Sequence, residues 1–129
     1  MGDEIRRLGL RFDLVASSPA RRVQQTLAGA GIETGRLESA IYNASVDTLL
    51  TQVRTLSDEA ATVLFAGHFP GLPGLALYLT EGRGDPLRKA VATKYPTAAL
   101  AEIELDCARW ADVGEGSGKI VRFVRPRDL

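Results

Sequence analysis

The stretch "TVLFAGHFPGL", residues 62–72, decides which fold class the sequence predicts. Its first half is a continuous apolar run, as found in strands that are buried on both faces of a sheet. Its second half opens another apolar segment, "PGLPGLALYL", with Pro and Gly, which predicts a helix. The stretch is therefore a junction between a strand and a helix, and it holds His68, the single histidine of the chain.

A second junction of the same kind lies in "LVASSPARR", residues 14–22. The run "FDLVAS" is too short for a helix and predicts a strand, after which Ser18 is expected to cap a helix that has Pro19 in its first position. In open α/β sheets, ligands bind outside the carboxyl ends of the strands. The two junctions are therefore expected to bring Arg21 or Arg22 together with His68 around an anion, for which phosphate is the natural candidate.

The rest of the chain continues this alternation. "MGDEIRRLG" has the pattern of the tail of an amphipathic helix. The spacing predicts an extended stretch at 36–42, a helix that Ser45 caps, a polar loop at 81–97, and strands at 97–106 and 119–126. Strands alternating with helices indicate an α/β fold with a mostly parallel sheet, and the last two strands are expected to form an antiparallel edge.

Length and composition bound the class of protein. The 129 residues suffice for a single domain, 1–129, and 45% hydrophobic with 25% charged residues indicates a globular chain. The net charge of 0 argues against a nucleic-acid partner, and no apolar run approaches the length of a membrane span. One Cys and one His make a zinc site improbable, and the absence of a signal-peptide pattern makes cytoplasmic the expected location.

Each candidate residue also has a purely structural interpretation. A lone histidine in a turn, such as His68, is more often a structural residue than a reactive one. Arg21 and Arg22 alone would most simply form a solvated helix face, and Ser18 followed by Pro19 would be an ordinary helix start. The anion site gains weight only because the two junctions occur together.

The same residues resemble a known family. The resemblance rests on five segments of the sequence: "SPARRVQQT" (18–26), "IYNAS" (41–45), "GHFPGL" (67–72), "YPTAALAEIELD" (95–106) and "FVRPRDL" (123–129). In this order they resemble the histidine phosphatase superfamily, and most closely its phosphohistidine phosphatase (SixA-type) branch. The resemblance covers nearly the whole chain and implies a three-layer α/β/α, phosphoglycerate mutase-like fold, with the first strand missing.

The resemblance implies hydrolysis of a phosphoryl group through a phosphohistidine intermediate, without metal or cofactor. One His attacks phosphorus, and a second His with two Arg holds the phosphoryl oxygens. The sequence register gives His68 the role of the second His and gives Arg22, not Arg21, the role of one Arg. Ser18 and the backbone N–H of Phe69 are further candidate phosphate-binding groups.

Three departures from the family pattern matter. The attacking His belongs to an R-H-G or R-H-A motif that is absent here, so the chain is expected to be an N-terminally truncated domain and to be inactive as it stands. Such a domain should have a gap or an exposed sheet edge. Phe69 replaces an Asn of this branch, and neither Glu38 nor Asp47 is assigned as a general acid. A non-catalytic phosphate-binding pseudoenzyme and a scaffold domain without a ligand remain alternatives.

The substrate is expected to be a phosphorylated protein carrying phosphohistidine, or a small phosphoester. Thr97, which follows the 81–97 loop, is a candidate substrate contact, together with Arg21. Neither nucleic acid nor membrane is expected as a partner, and the sequence leaves the oligomeric state open.

Overall fold

The structure, a computed structural model, describes residues 2–42, 44–68, 70–96 and 98–128. Helices and strands alternate along its first two thirds. In chain order the elements are α1 (Gly2–Arg7), β1 (Leu14–Ser17), α2 (Arg21–Gly29), β2 (Arg36–Leu37), α3 (Val46–Arg54), β3 (Val63–Ala66), α4 (Gly71–Leu79), α5 (Pro86–Thr93), β4 (Leu100–Leu105) and β5 (Gly118–Val124). Short 3₁₀ turns occupy Ser39–Ile41, Trp110–Asp112 and Pro126–Asp128.

The strands form two sheets. The first is parallel, with order β2-β1-β3, and it pairs Ala16 with both Arg36 and Phe65. The second consists of β4 and β5, which are antiparallel and change register between Glu102 and Ile103. The predicted α/β class is confirmed. The antiparallel pair is a sheet of its own, because no ladder joins β3 to β4 within the described ranges.

Helices cover both faces of the parallel sheet, since successive side chains of a strand point to opposite faces. Val15 faces α2 and packs with Val23 and Leu27. Ala16 faces the other side, where it belongs to one cluster with Leu49 of α3 and with Leu75 of α4. The chain therefore has three layers, with β1 at the centre of the parallel sheet.

The prediction of a loop over 81–97 is wrong, because α5 lies within it. The Asp85 side chain accepts a hydrogen bond from the N–H of Leu87 at 2.8 Å, and Pro86 takes the first helical position, where its missing N–H costs nothing. Val91 is the buried anchor of this helix. Pro86, which suggested a loop, is in fact a helix-start signal, while Gly82 and Gly84 precede the helix with positive φ.

Two further boundaries differ from the prediction. The extended stretch at 36–42 is a strand only over Arg36–Leu37, followed by a 3₁₀ turn. Helix α2 begins at Arg21 rather than at Pro19, the predicted first helical residue.

The sequence left open whether α4 begins at Pro70 or at Pro73, and it begins at Gly71. Pro73 is therefore the third residue of α4, where an N–H would have no partner within the helix, so it disrupts nothing.

Asp13 ties the start of β1 to the residues before β3. Its Oδ2 accepts hydrogen bonds from the N–H groups of Ala61 at 2.8 Å and Thr62 at 3.0 Å. These bonds favour the charged carboxylate and lower the pKa of Asp13 below its usual value. The resulting stabilisation is present above the unfolded-state pKa and is lost as the pH falls through the lower folded-state pKa.

Asp13→Asn is therefore expected to lower the urea midpoint at neutral pH, with the difference from wild type shrinking in acid, below about pH 4. Urea unfolding curves of both proteins over this range measure the effect. A difference that stays constant down to the acid limit would contradict the assignment.

Candidate functional site

The two predicted junctions lie side by side at the carboxyl edge of the parallel sheet. Ser17 of β1 pairs with Ala66 of β3, and the N–H of Ser18 donates to the carbonyl of Ala66 at 2.9 Å. Beyond this pair, the segment after β1 leads into α2, and the segment after β3 continues through His68 towards α4. The sheet topology therefore brings Ser18 and His68 together although they are 50 residues apart in sequence.

The imidazole of His68 is held by Ser18. The Nε2 atom of His68 lies 2.8 Å from Oγ of Ser18, with the direction of donation set by the tautomer of the ring. The same Oγ accepts a hydrogen bond from the N–H of Ala20 at 3.2 Å. Because Ser18 is fully buried, these contacts fix the orientation of a half-buried ring from behind.

Gln24 anchors this arrangement from the next turn of α2. Its Nε2 donates to Oγ of Ser17 and to the carbonyl of Ser18, both at 2.8 Å. Its Oε1 accepts from the hydroxyl of Thr34 at 3.1 Å. Gln24 was not predicted from the sequence. The available signal was the buried pair Ser17 and Ser18, whose polar atoms need partners within reach.

Tyr42 forms an exposed aromatic wall beside the histidine. Its ring meets that of His68 edge-on, with centroids 5.3 Å apart and planes at 78°. Tyr42 lies within the "IYNAS" segment, but no role for it was predicted from the sequence. It is 56% exposed, and Leu37 at the end of β2 is 59% exposed. This edge of the sheet therefore presents apolar surface as well as polar groups.

A cavity of about 490 Å³ opens at this edge, and both His68 and Arg22 line it. Arg21, the neighbouring residue, does not. Among the described residues that line the cavity there is no Asp or Glu, and Arg22 is the only formally charged side chain. The two carboxylates considered as general acids lie elsewhere. Oε1 of Glu38 lies 2.7 Å from Nε of Arg36, and Asp47 lies in the first turn of α3. The polar end of the cavity is thus suited to an anion.

The other predicted site residues are not found among those that line the cavity. Ser18 does not line the cavity but lies behind His68. Phe69 and Thr97 fall outside the described residues. Pro96 and Ala98, the sequence neighbours of Thr97, both line the cavity.

Proteins of two mycobacterial species are similar in sequence. The chain is 33% identical over 118 residues to "Uncharacterized protein ML1117" of Mycobacterium leprae (strain TN), an alignment that covers 90% of this chain and 73% of that protein. It is 32% identical to "Uncharacterized protein Rv1276c" of Mycobacterium tuberculosis (strain ATCC 25618 / H37Rv), over 89% of this chain and 74% of that one. The chain belongs to the family of these proteins. No family model matches it.

Solved structures identify the fold of this family member. A Nakamurella multipartitia protein assigned as phosphohistidine phosphatase SixA superimposes with a TM-score of 0.84 at 24% identity, over 97% of this chain and 77% of that one. The protein histidine phosphatase SixA complexed with tungstate gives 0.75 at 21% identity, over 99% and 78%. The chain therefore has the fold of SixA-type phosphohistidine phosphatases. No described helix is long and apolar enough to cross a membrane.

Proposed function

We propose that this chain provides the phosphate-holding part of a phosphohistidine phosphatase site. One observation carries the proposal: His68 and Arg22 line the same cavity at the carboxyl edge of the parallel sheet, although they come from different junctions. The SixA-type fold supports the same class of activity. The substrate is a phosphoryl group on histidine in a protein, or a small phosphoester.

Each side chain has a distinct part in holding the phosphoryl group. The guanidinium of Arg22 presents forked N–H donors that match two phosphoryl oxygens. The imidazole of His68 donates to a third oxygen. Ser18 and Gln24 position the imidazole by hydrogen bonds and do not themselves contact the anion. Such fixed donors stabilise the charge that the phosphoryl oxygens carry in the transition state.

Hydrolysis of phosphohistidine breaks the P–N bond, and the oxygen of water ends on phosphorus. In the proposed reaction the phosphoryl group passes first to a nucleophilic histidine. This chain has one histidine, and the proposal uses it to hold the anion. That single histidine also favours a second candidate function, a domain that binds phosphate without catalysis.

Calorimetric titration with inorganic phosphate and with tungstate tests the binding part. We expect one saturable site per chain for either anion. A phosphohistidine peptide should then bind to this chain without turnover, because its single histidine holds the anion, and turnover by the chain alone would contradict that role of His68. If neither anion binds saturably, the scaffold interpretation remains and the proposal is contradicted.

Ser18→Ala is expected to weaken phosphate binding about two- to tenfold, because the imidazole of His68 loses the hydrogen bond that orients it. Ser45→Ala is the matched control. The Ser45 side chain caps α3 through the N–H of Thr48 at 3.2 Å, away from the cavity. Its removal should lower the free energy of unfolding by about 1 kcal/mol and leave the affinity unchanged. Equal losses of affinity in both variants would contradict the positioning role.

A further inference from the structure

Tyr42 presents an open aromatic face beside His68. The two rings meet edge-on, and such a contact covers at most one face of the Tyr42 ring. More than half of the surface of Tyr42 remains accessible to solvent. His68 lines the cavity whereas Tyr42 does not. Tyr42 therefore lies outside the cavity, against His68, with at least one ring face that the imidazole does not cover.

The backbone that carries this exposed ring is fixed at the carboxyl edge of the sheet. The N–H of Glu38 donates to the carbonyl of Ser17, at the end of β1, at 2.8 Å. Ile41, the residue before Tyr42, is 1% exposed. Its Cγ2 packs on Gly67 so closely that a Cβ atom there would lie 2.9 Å away. Both junctions therefore set the position of Tyr42, and its place beside the histidine does not depend on a mobile loop.

Tyr42 and Ser18 hold the imidazole of His68 from different sides. Ser18 is fully buried and reaches Nε2 of His68 at 2.8 Å, so it fixes the ring from behind. Tyr42 touches the same ring from the exposed side. A side chain that served only to hold the imidazole would gain more by burying its own ring there. The exposed face of Tyr42 is therefore available for contact with a ligand of the anion site.

A ligand that Arg22 and His68 hold by its phosphoryl group must place its remaining atoms next to them. When the ligand is a side chain of a protein, its backbone stays outside the cavity, so the group that joins backbone to phosphorus lies at the cavity mouth. In phosphohistidine this group is a planar ring bonded directly to phosphorus. Beside His68, such a ring comes within the range of about 4.5–7 Å between centroids over which aromatic rings attract each other, and Tyr42 is the aromatic residue there.

We propose that Tyr42 is a specificity-determining residue, whose open face contacts a planar ring that is bonded directly to the phosphoryl group of the ligand. The contact favours ligands such as phosphohistidine over phosphoesters of aliphatic alcohols, which have no ring at this place. The inference rests on the proposed anion site of Arg22 and His68, and it adds the residue that selects among the ligands of that site.

Three phosphonates test the preference in the unmodified chain. Phenylphosphonate carries a planar ring on phosphorus, methylphosphonate carries a methyl group, and cyclohexylphosphonate carries a ring of similar size that is neither planar nor aromatic. We expect calorimetry to give an affinity for phenylphosphonate about two- to tenfold higher than for either of the other two. Equal affinities for phenylphosphonate and either comparison ligand would overturn the inference.

Tyr42→Ala should remove the preference, so that the ratio of the phenylphosphonate and methylphosphonate affinities falls to about one. Tyr42→Phe should keep the preference, because the ring face remains. Leu37→Ala is the matched control, since Leu37 is a second exposed apolar residue at this edge and does not line the cavity. It should also keep the preference. Because both side chains are exposed, the fold should tolerate all three changes.

Two results with Tyr42→Ala would overturn the inference. A preference that survives this change would mean that the ring enters the apolar interior of the cavity, which Leu75 and Leu79 line. Equal weakening of all three phosphonates would mean that Tyr42 only supports the imidazole of His68.

Failure of the proposed anion site gives a different result. In that case methylphosphonate itself does not bind saturably, and the role of Tyr42 falls with the site. Saturable binding of methylphosphonate without any preference for phenylphosphonate leaves the anion site in place and overturns only the role of Tyr42.

Discussion

Arg22→Ala should weaken the binding of inorganic phosphate about ten- to a hundredfold, which corresponds to the loss of charge-assisted hydrogen bonds worth about 1.5–3 kcal/mol. Arg22 is the only formally charged residue among the described residues that line the cavity, so its removal leaves no other cation there. Its side chain is exposed at the start of α2, so the fold should tolerate the change. Isothermal calorimetry measures the affinity, and urea unfolding checks stability.

Arg21→Ala is the matched control for this prediction. It removes the same charge one residue away, from a side chain that does not line the cavity. Only long-range attraction is lost, and we expect less than about a threefold change, which salt should suppress. Equal losses in the two variants would mean that net charge, rather than the geometry of Arg22, governs binding.

Gly71→Ala should destabilise the fold by about 1–3 kcal/mol. Gly71 is the first residue of α4, and a Cβ atom there would lie 2.5 Å from the carbonyl oxygen of Ala44 and 3.1 Å from Cδ1 of Leu49. Because the backbone carbonyl of Ala44 cannot move aside as a flexible side chain can, α4 must shift away from Ala44 and α3. His68 should shift with it, because its carbonyl accepts from the N–H of Leu72 at 3.0 Å.

Gly29→Ala is the opposite case within the same fold. Gly29 ends α2, and a Cβ atom there would meet nothing within 4 Å. Alanine restricts the unfolded chain and favours the helix, so this variant should gain about 0.4–1 kcal/mol. Urea midpoints of both variants measure the effects. A stable Gly71→Ala protein with unchanged phosphate affinity would contradict the packing described at the start of α4.

The sequence was sufficient to predict the strand-to-helix junctions. "VLFA" is too apolar and too short for a surface helix, and the small residues after it mark a turn, so β3 and α4 were expected close to their observed bounds. Helix α3 was equally clear, since Ser45 caps it as predicted. The rule for the carboxyl ends of strands predicted that an arginine of the first junction would lie near His68, but it left Arg21 and Arg22 both open. The choice of Arg22, which lines the cavity with His68, came from the family resemblance.

Other features depend on contacts that no local pattern encodes. Gln24 reads as an ordinary helix residue until the sheet brings Ser17 and Ser18 within its reach. Ser18 looked like a helix cap, but its hydroxyl bonds His68 from another junction. Helix α5 lies in the predicted loop because Asp85 caps it, Pro86 fits its first position and Val91 is buried, whereas no local signal in residues 36–42 marks the end of β2 after Leu37.

The central claim is that His68 and Arg22 form one anion site. With a single histidine in the chain, the imidazole resonances of His68 can be followed by NMR without assignment ambiguity during a titration with inorganic phosphate. The account predicts that these resonances shift with the calorimetric dissociation constant in wild type and in Arg21→Ala, and that Arg22→Ala shifts the midpoint to about ten- to a hundredfold higher phosphate. Saturable phosphate binding that leaves the His68 resonances unmoved would contradict it.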